Sequence, residues 1–401
     1  MARIHYSEIE GRSPGFYALI GVLGALVLAG LAAAWAMEHN GHYVTGMSNR
    51  IVWGMPHVFA IFLIVAASGA LNVASIASVF GREVYKPLAR LSGLLAITLL
   101  AGGLAVLVLD LGRPERLIVA MTHYNFKSIF AWNMVLYNGF FAIVVVYLWT
   151  MFERRFNPHS ARVGLLAFAW RLMLTTGTGS IFGFLIAREP FHSALLAPLF
   201  VVMSLSFGLA VFVLALMAAC RAGGRPLGDA LLGRLGSLLG VFVATVLYFV
   251  LIHHLTNFYV ARQHELARFV LVSGGVYTVL FWGGQVLVGS LVPLALLYLP
   301  ATRRSRPAIA GAAACVIAGG LAQLYVLIIG GQAYPQTTFP GKDVSSRFFD
   351  GVVAPYAPSL PEVALGMGGL AFAAALTVVA LRVLPFLPLS LADGESGSAA
   401  P

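Results

Sequence analysis

Charged residues and cysteine are what this sequence has least of. Only 10% of its 401 residues are Asp, Glu, Lys or Arg, against roughly 25% in a soluble domain. So few charges cannot coat a water-facing surface, and an ordinary soluble globule is excluded. The two cysteines, Cys220 and Cys315, stand in no CxxC or CxxCH arrangement. That argues against a c-type haem or a Cys-ligated iron–sulfur cluster in this chain. No cleavable signal peptide is apparent, because the first apolar run, Phe16–Met37, lacks a convincing cleavage site and is long enough to stay as a spanning helix. The one G-x-G, Gly177-x-Gly179, lies inside an apolar stretch, so a dinucleotide fingerprint is rejected.

What the sequence has in abundance is apolar length. Hydrophobic residues make up 60% of it, with 43 glycines and 27 phenylalanines, a composition suited to closely packed membrane helices. A bilayer core needs about 20 apolar helical residues. Ten runs qualify: Phe16–Met37, Ile51–Phe80, Leu91–Leu109, Ser128–Phe152, Phe168–Ala187, Phe191–Cys220, Leu235–Val260, Phe269–Leu299, Pro307–Ile329 and Val363–Leu381. The fold class predicted is an all-α integral membrane protein, with the lipid bilayer as its solvent. The longest stretch between spans, Gly330–Pro361, reads as a loop.

The net charge of +10 sits in short basic clusters between the apolar runs, which marks topology rather than a nucleic-acid surface. Alternate loops carry 15 and nine Lys and Arg, with Arg171 in neither set. The richer set, from Arg3 and Arg12 to Arg382, marks the cytoplasmic side, so both termini lie inside and Gly330–Pro361 lies outside. Arg171 interrupts the fifth span. The simpler reading is that it snorkels from the inner end while Leu172–Ala187 completes the crossing; the alternative is a buried functional pairing.

With this topology, eight of ten histidines fall on the outer half. His57 is the most informative, lying six positions into the second run, about 9 Å below its outer start. Asp110 closes the third span, and Asn133 lies about one and a half turns into the fourth. Together they could supply an acid/base pair and a hydrogen-bond donor for a redox carbonyl, the set a quinone head requires. The plainer alternative has His57 bonding a carbonyl and Asp110 pairing with Arg113. His253 and His254 project about 100° apart, too divergent to face one metal easily, although one of them could ligate a haem with His57 or His192. His192, read as opening a helix after Pro190, suits interfacial anchoring, and Glu265 and Glu362 read as outer interfacial carboxylates.

The run Leu109-Asp110-Leu111-Gly112-Arg113-Pro114-Glu115-Arg116 resembles the LDLGRPxR signature of the NrfD/PsrC (polysulfide reductase) family of membrane subunits. Trp53-Gly54 before the second span, Phe126-Lys127-Ser128 before the fourth, and Phe191–Phe200 at the sixth fit the same pattern. The ten-span layout looks more like the HybB and DsrP branch than the eight-span members, and most like DsrP of the Dsr sulfur-metabolism complex. The resemblance implies two four-helix bundles, residues 51–187 and 191–329, with an outer loop over 330–361 and extra helices at 16–37 and 362–384. It implies a haem-free protein in the inner membrane of a bacterium. A quinone, menaquinone or ubiquinone, would bind at the outer end of the first bundle. The family site maps onto His57, Asp110, Arg113, Tyr124, Lys127 and Asn133, with His57 and Asp110 as the catalytic pair. The implied partners are a periplasmic ferredoxin-like iron–sulfur subunit, a multihaem cytochrome c and other Dsr subunits, with no nucleic acid. In the related polysulfide reductase subunit a tyrosine of the bundle's last helix joins the site, whereas the fifth span here has none. A secondary transporter, a b-type haem cytochrome and a purely structural anchor are the rival readings.

Overall fold

A backbone inside hydrocarbon must satisfy its hydrogen bonds internally, which leaves helices as the building element for a chain of this composition. The computed structural model describes residues 4–336 and 351–393. Ten helices are long and apolar enough to cross: α1 (Pro14–Asn40), α2 (Met55–Ser78), α3 (Glu83–Leu109), α4 (Ile129–Phe152), α5 (Asn157–Gly183), α6 (Leu196–Ala222), α7 (Asp229–Tyr259), α8 (Val276–Tyr298), α9 (Arg306–Ala333) and α10 (Leu360–Val383). The chain is therefore a multi-pass integral membrane protein. Lys342 and Arg347, counted as outer charges, lie outside the described residues.

Several boundaries differ from the hydropathy reading for local reasons. The sixth helix starts at Leu196 rather than Phe191, and His192 sits in the turn before it instead of opening a helix. The eighth run is broken. Phe269–Ser273 forms a π turn, and Gly275 then takes φ +60°, a left-handed conformation open to glycine at little cost. Thr278 spans the break, its Oγ1 accepting from the Gly274 N–H and donating to the Phe269 carbonyl. Within α8, Leu280–Leu291 is also π-helical.

Helices α2 to α5 pack in a ring, and α6 to α9 form a second ring. The rings meet chiefly where α2 lies against α6. Two glycines set that crossing: a Cβ on Gly69 would sit 1.6 Å from the Ser204 carbonyl oxygen, and one on Gly208 would sit 2.2 Å from the Ala70 nitrogen. Such close backbone approach is how membrane helices gain packing energy without a hydrophobic driving force between them. Helix α2 is thus central, 94% buried, while α1 is 17% buried. Helix α1 packs on α10, which in turn covers α3 and α2, with Gly30 of α1 against Gly368 of α10.

Arg171 corrects the reading of the fifth span. It does not snorkel: it is 2% exposed, and its Nη2 donates to Asn72 Oδ1 of α2 at 2.8 Å. An unpaired cation on a water-poor path would be drawn to any polar partner within reach, and the partner here lies on the neighbouring helix rather than at the membrane surface. The fifth helix accordingly runs from Asn157 to Gly183, beginning well before Phe168.

Both ends of the described chain meet on one face. Tyr6–Ser7 pairs antiparallel with Leu387–Pro388, as an even number of spans demands. Arg225 locks this clasp, donating to the carbonyls of Leu387, Pro388, Ser7 and Glu8. Arg90 donates to the carbonyls of Pro385 and Met151 while stacking 4.0 Å over the Tyr6 ring. Burial pushes the Tyr6 phenol up to about 12, with Arg90 opposing the shift.

The crossing of α2 and α6 generates a direct expectation. Gly208→Ala forces backbone apart at the joint between the rings and lowers the unfolding midpoint in detergent, by an overpacking cost of about 1–3 kcal/mol. Gly233→Ala, where no atom lies within 4 Å of the added carbon, leaves the midpoint unchanged or raises it. Parallel thermal melts of the two variants check this.

Candidate quinone site at the outer end of the first ring

The site begins with the way α2 starts. Gly54 caps the helix without a side chain to accept from the first-turn N–H groups, and Pro56 occupies one of the first positions. Helix starts leave such donors orphaned, and here other elements supply the acceptors. Met55 N donates to Tyr356 Oη at 2.7 Å. Just before the helix, Val52 N and Trp53 N donate to Gln332 Oε1 at 2.9 and 3.1 Å, and Gln332 Nε2 returns a bond to the Trp53 carbonyl. Arg188 ties the same segment to the second ring through the carbonyls of Arg50 and Gln332.

Behind Tyr356 stands Glu362. Its Oε1 accepts from Tyr356 Oη at 2.7 Å, and its Oε2 accepts from Gly46 N at 2.8 Å and Ser359 N at 2.7 Å, the last closing a capping box with Ser359. From sequence alone Glu362 reads as an acid of the outer interface; it is instead wholly buried. A carboxylate tolerates burial when several donors point at it, and three do. Gly54 is glycine for a related reason, since a Cβ there would lie 2.3 Å from Glu362 Oε1. Burial and the Glu362 carboxylate push the Tyr356 phenol far above its ordinary range, so it remains a donor.

With α2 so fixed, His57 falls in the first helical turn, about 3 Å from the start of α2 rather than the 9 Å expected. Its Nδ1 lies 2.9 Å from Asp110 Oδ2. The approach is oblique, a close polar contact rather than an aligned hydrogen bond. The Asp110 side chain is 1% exposed and His57 is 23% exposed, so the pair runs from a buried carboxylate to a partly open imidazole. Asp110 closes α3, and the chain leaves it through Gly112 at φ +70°. A Cβ on Gly112 would meet the His42 imidazole at 2.9 Å, so the turn after Asp110 is packed under the α1–α2 connection. Arg113 points into solvent and forms no ion pair with Asp110, which overturns the plainer alternative for that carboxylate.

Aromatic rings wall this pair. Trp53 stacks on His57 with centroids 6.1 Å apart, and it also contacts Phe130 of α4, Phe182 of α5 and Phe191. One turn beyond Phe130 sits Asn133, 1% exposed. Its Nδ2 donates to the carbonyls of Ile129 and Gly177, so both donors are committed to backbone. The atom left without a partner is Oδ1. Asn133 therefore offers an acceptor where the sequence leads one to expect a donor. Gly177 makes this possible, as a Cβ there would stand 3.1 Å from Asn133 Oδ1. Tyr124 is half-buried and stacks on Phe126, while Lys127 is exposed. Neither they nor Arg113 form a hydrogen bond or ion pair with His57 or Asp110. Trp53 is visible in the sequence as a marker of the span's start. Tyr356, Gln332 and Glu362 are not visible there as site supports, because their roles depend on contacts about 280 to 320 residues away in sequence.

The profile of the family described as Polysulphide reductase, NrfD, matches residues 43–336. The chain belongs to the NrfD family. That match takes in α2 to α9, the two rings, and leaves out α1 and α10. The chain is similar to the Hdr-like menaquinol oxidoreductase integral membrane subunit of Archaeoglobus fulgidus, 29% identical over 390 residues that cover 96% of this chain and 97% of that one. It is also similar to a selenate reductase subunit of Mesobacillus selenatarsenatis, 23% identical over 91% of this chain and 93% of that one. A polysulfide reductase polypeptide of Wolinella succinogenes is 23% identical over 71% of this chain and 96% of its own length.

A second group of buried polar side chains in this NrfD-family protein lies inside the other ring. His253, His254, Asn257, Gln285 and Gln323 line a cavity of about 60 Å³, room for a few waters. The two histidines, expected to diverge, face the same space. Asn257 Nδ2 lies 3.3 Å from His253 Nε2, and His254 packs edge-on against Phe281. Gln285 and Gln323 continue into a smaller cavity with Ser206 and Ser290. Arg171 borders neither.

The buried carboxylate supplies a prediction for the outer end. Glu362→Gln sets an amide N–H₂ against N–H donors and lowers stability by about 1–3 kcal/mol in detergent melts. A phenol raised in the folded state contributes in full below the ordinary tyrosine value near pH 10. Its contribution falls as pH climbs above that point, so wild type loses stability there faster than Tyr356→Phe.

Proposed function

We propose that this protein is the quinol/quinone-reactive membrane subunit of a multi-subunit respiratory or sulfur-metabolism oxidoreductase of the Dsr type. It sits in the cytoplasmic membrane of a bacterium and exchanges electrons with a periplasmic ferredoxin-like iron–sulfur subunit, with a multihaem cytochrome c further along the series of carriers. The observation that carries the reading is the buried Asp110 that meets His57 at 2.9 Å, under an aromatic roof, at the outer end of the first ring. Two relatives are named for menaquinol or menaquinone, which favours menaquinone as the ligand.

The residues suit a quinone head. Asp110 and Asn133 present buried oxygen atoms without hydrogen-bond partners among the described residues, and a redox-active ring with hydroxyl groups supplies the missing donors. A bound quinol supplies two electrons and two protons on oxidation. His57 has its Nδ1 turned to Asp110, which leaves Nε2 to meet a ring oxygen. Asp110 Oδ2 lies against Nδ1 and fixes the orientation of the ring while Nε2 takes a proton. The electrons pass one at a time to the iron–sulfur subunit, and the partly open side of His57 passes first one proton and then the second to the outer water, so oxidation of a quinol here adds to the proton gradient. Asn133 Oδ1 orients the opposite hydroxyl, and Trp53, Phe130 and Phe182 keep water from the ring.

Asp110→Asn and His57→Ala, assembled in native membranes with the partner subunits, test this. Quinol-linked electron transfer falls about 100-fold or more, the scale of a lost proton-transfer group, while subunit assembly is retained. Unchanged transfer in both variants would leave the protein as a structural anchor and sink the reading.

A further inference from the structure

Between the two rings, on the inner half of the protein, lies a cleft of about 850 Å³ that the proposed electron transfer does not use. Its wall comes from α2, α3, α5, α6 and α7 and is mostly apolar, including Ile76, Phe168, Leu205, Leu238 and Phe242. Three arginines line it, and no carboxylate does. Arg82, in the connection after α2, and Arg234, near the start of α7, are exposed at the inner rim. Arg171 stands deeper. Its Nη2 is held by Asn72, its guanidinium lies 5.0 Å over the Phe168 ring, and its Nε and Nη1 have no hydrogen-bond partner among the described residues.

A guanidinium buried in hydrocarbon with two idle donors and no counter-charge is costly. A ligand that reaches it must bring oxygen acceptors. The rim adds two cations at the level where headgroups lie, and basic pockets between helices on the cytoplasmic side suit anionic headgroups. From Arg234 to Phe242 the wall runs eight residues of helix, about 12 Å, and apolar side chains line it there. That slot fits an alkyl tail. A free phosphate matches the arginines but leaves the slot bare, and a quinone matches the slot and Arg171 but leaves the rim cations unanswered. We infer that the cleft holds an anionic phospholipid. Its phosphate rests on Arg82 and Arg234, its ester oxygens meet Arg171, and one acyl tail lies between the rings. This lipid bridges the two rings on the inner side, and the inference stands independently of the quinone reading.

Native mass spectrometry of the full-length protein with its co-purifying subunits tests it, after delipidation and rechallenge in mild detergent. Phosphatidylglycerol or cardiolipin gives a retained adduct and phosphatidylcholine does not. Arg82→Gln and Arg234→Gln each weaken retention roughly fivefold, the scale of one arginine near an anionic headgroup. Leu205→Trp, which fills the slot, removes the adduct with the helical spectrum unchanged. This variant keeps the test valid if Arg171→Gln does not fold. Equal retention of phosphatidylcholine, displacement by millimolar inorganic phosphate or by menaquinone, or full retention in the double rim variant would overturn the inference.

Discussion

Where α2 begins decides the chemistry of the outer end, and a buried carboxylate decides where α2 begins. Glu362 holds Tyr356, Gly46 and Ser359 in one set of bonds, and Tyr356 passes that position on to Met55. If this register slipped by one residue, His57 would rotate about 100° around the helix axis and leave Asp110. The helix that carries the imidazole is therefore placed from α10, an element outside the family's common core. In this protein the flanking pair α1 and α10 is part of the scaffold of the site.

The number of spans was legible because each must hold about 20 apolar residues, a constraint written locally in the sequence. His57 and Asp110 were legible as a pair for a related reason, since each marks the outer end of its own span. What the sequence hid was mostly non-local. Glu362 looked like an interfacial acid because nothing near it in sequence announces its three donors. Arg171 looked like a snorkelling residue because its partner, Asn72, is 99 residues away on another helix. Asn133 was singled out as a donor, yet the commitment of its N–H₂ to Gly177 depends on how α4 meets α5, and that reversed the kind of hydrogen bond it offers.

The two rings divide their polar groups differently. In the first, a carboxylate–imidazole contact sits at the outer end under aromatic cover. In the second, amides and imidazoles line small cavities beside helix turns of π type. Turns of that type widen the helix and free backbone carbonyls, and they recur where a helix must accommodate polar groups. A cavity lined by such groups offers donors and acceptors to water without a formal charge.

The strand clasp on the inner face has a consequence for how the protein is built. Tyr6 and Pro388 are partners separated by the whole set of ten crossings. Every helix can insert as it is made, but this contact forms only once α10 is in place, and closing so long a loop is slow. The clasp therefore acts as a completion mark. Until the last span is in place, Arg225 and Arg90 lack the carbonyls of Leu387, Pro388 and Pro385, and the clasp that joins the two ends is unmade.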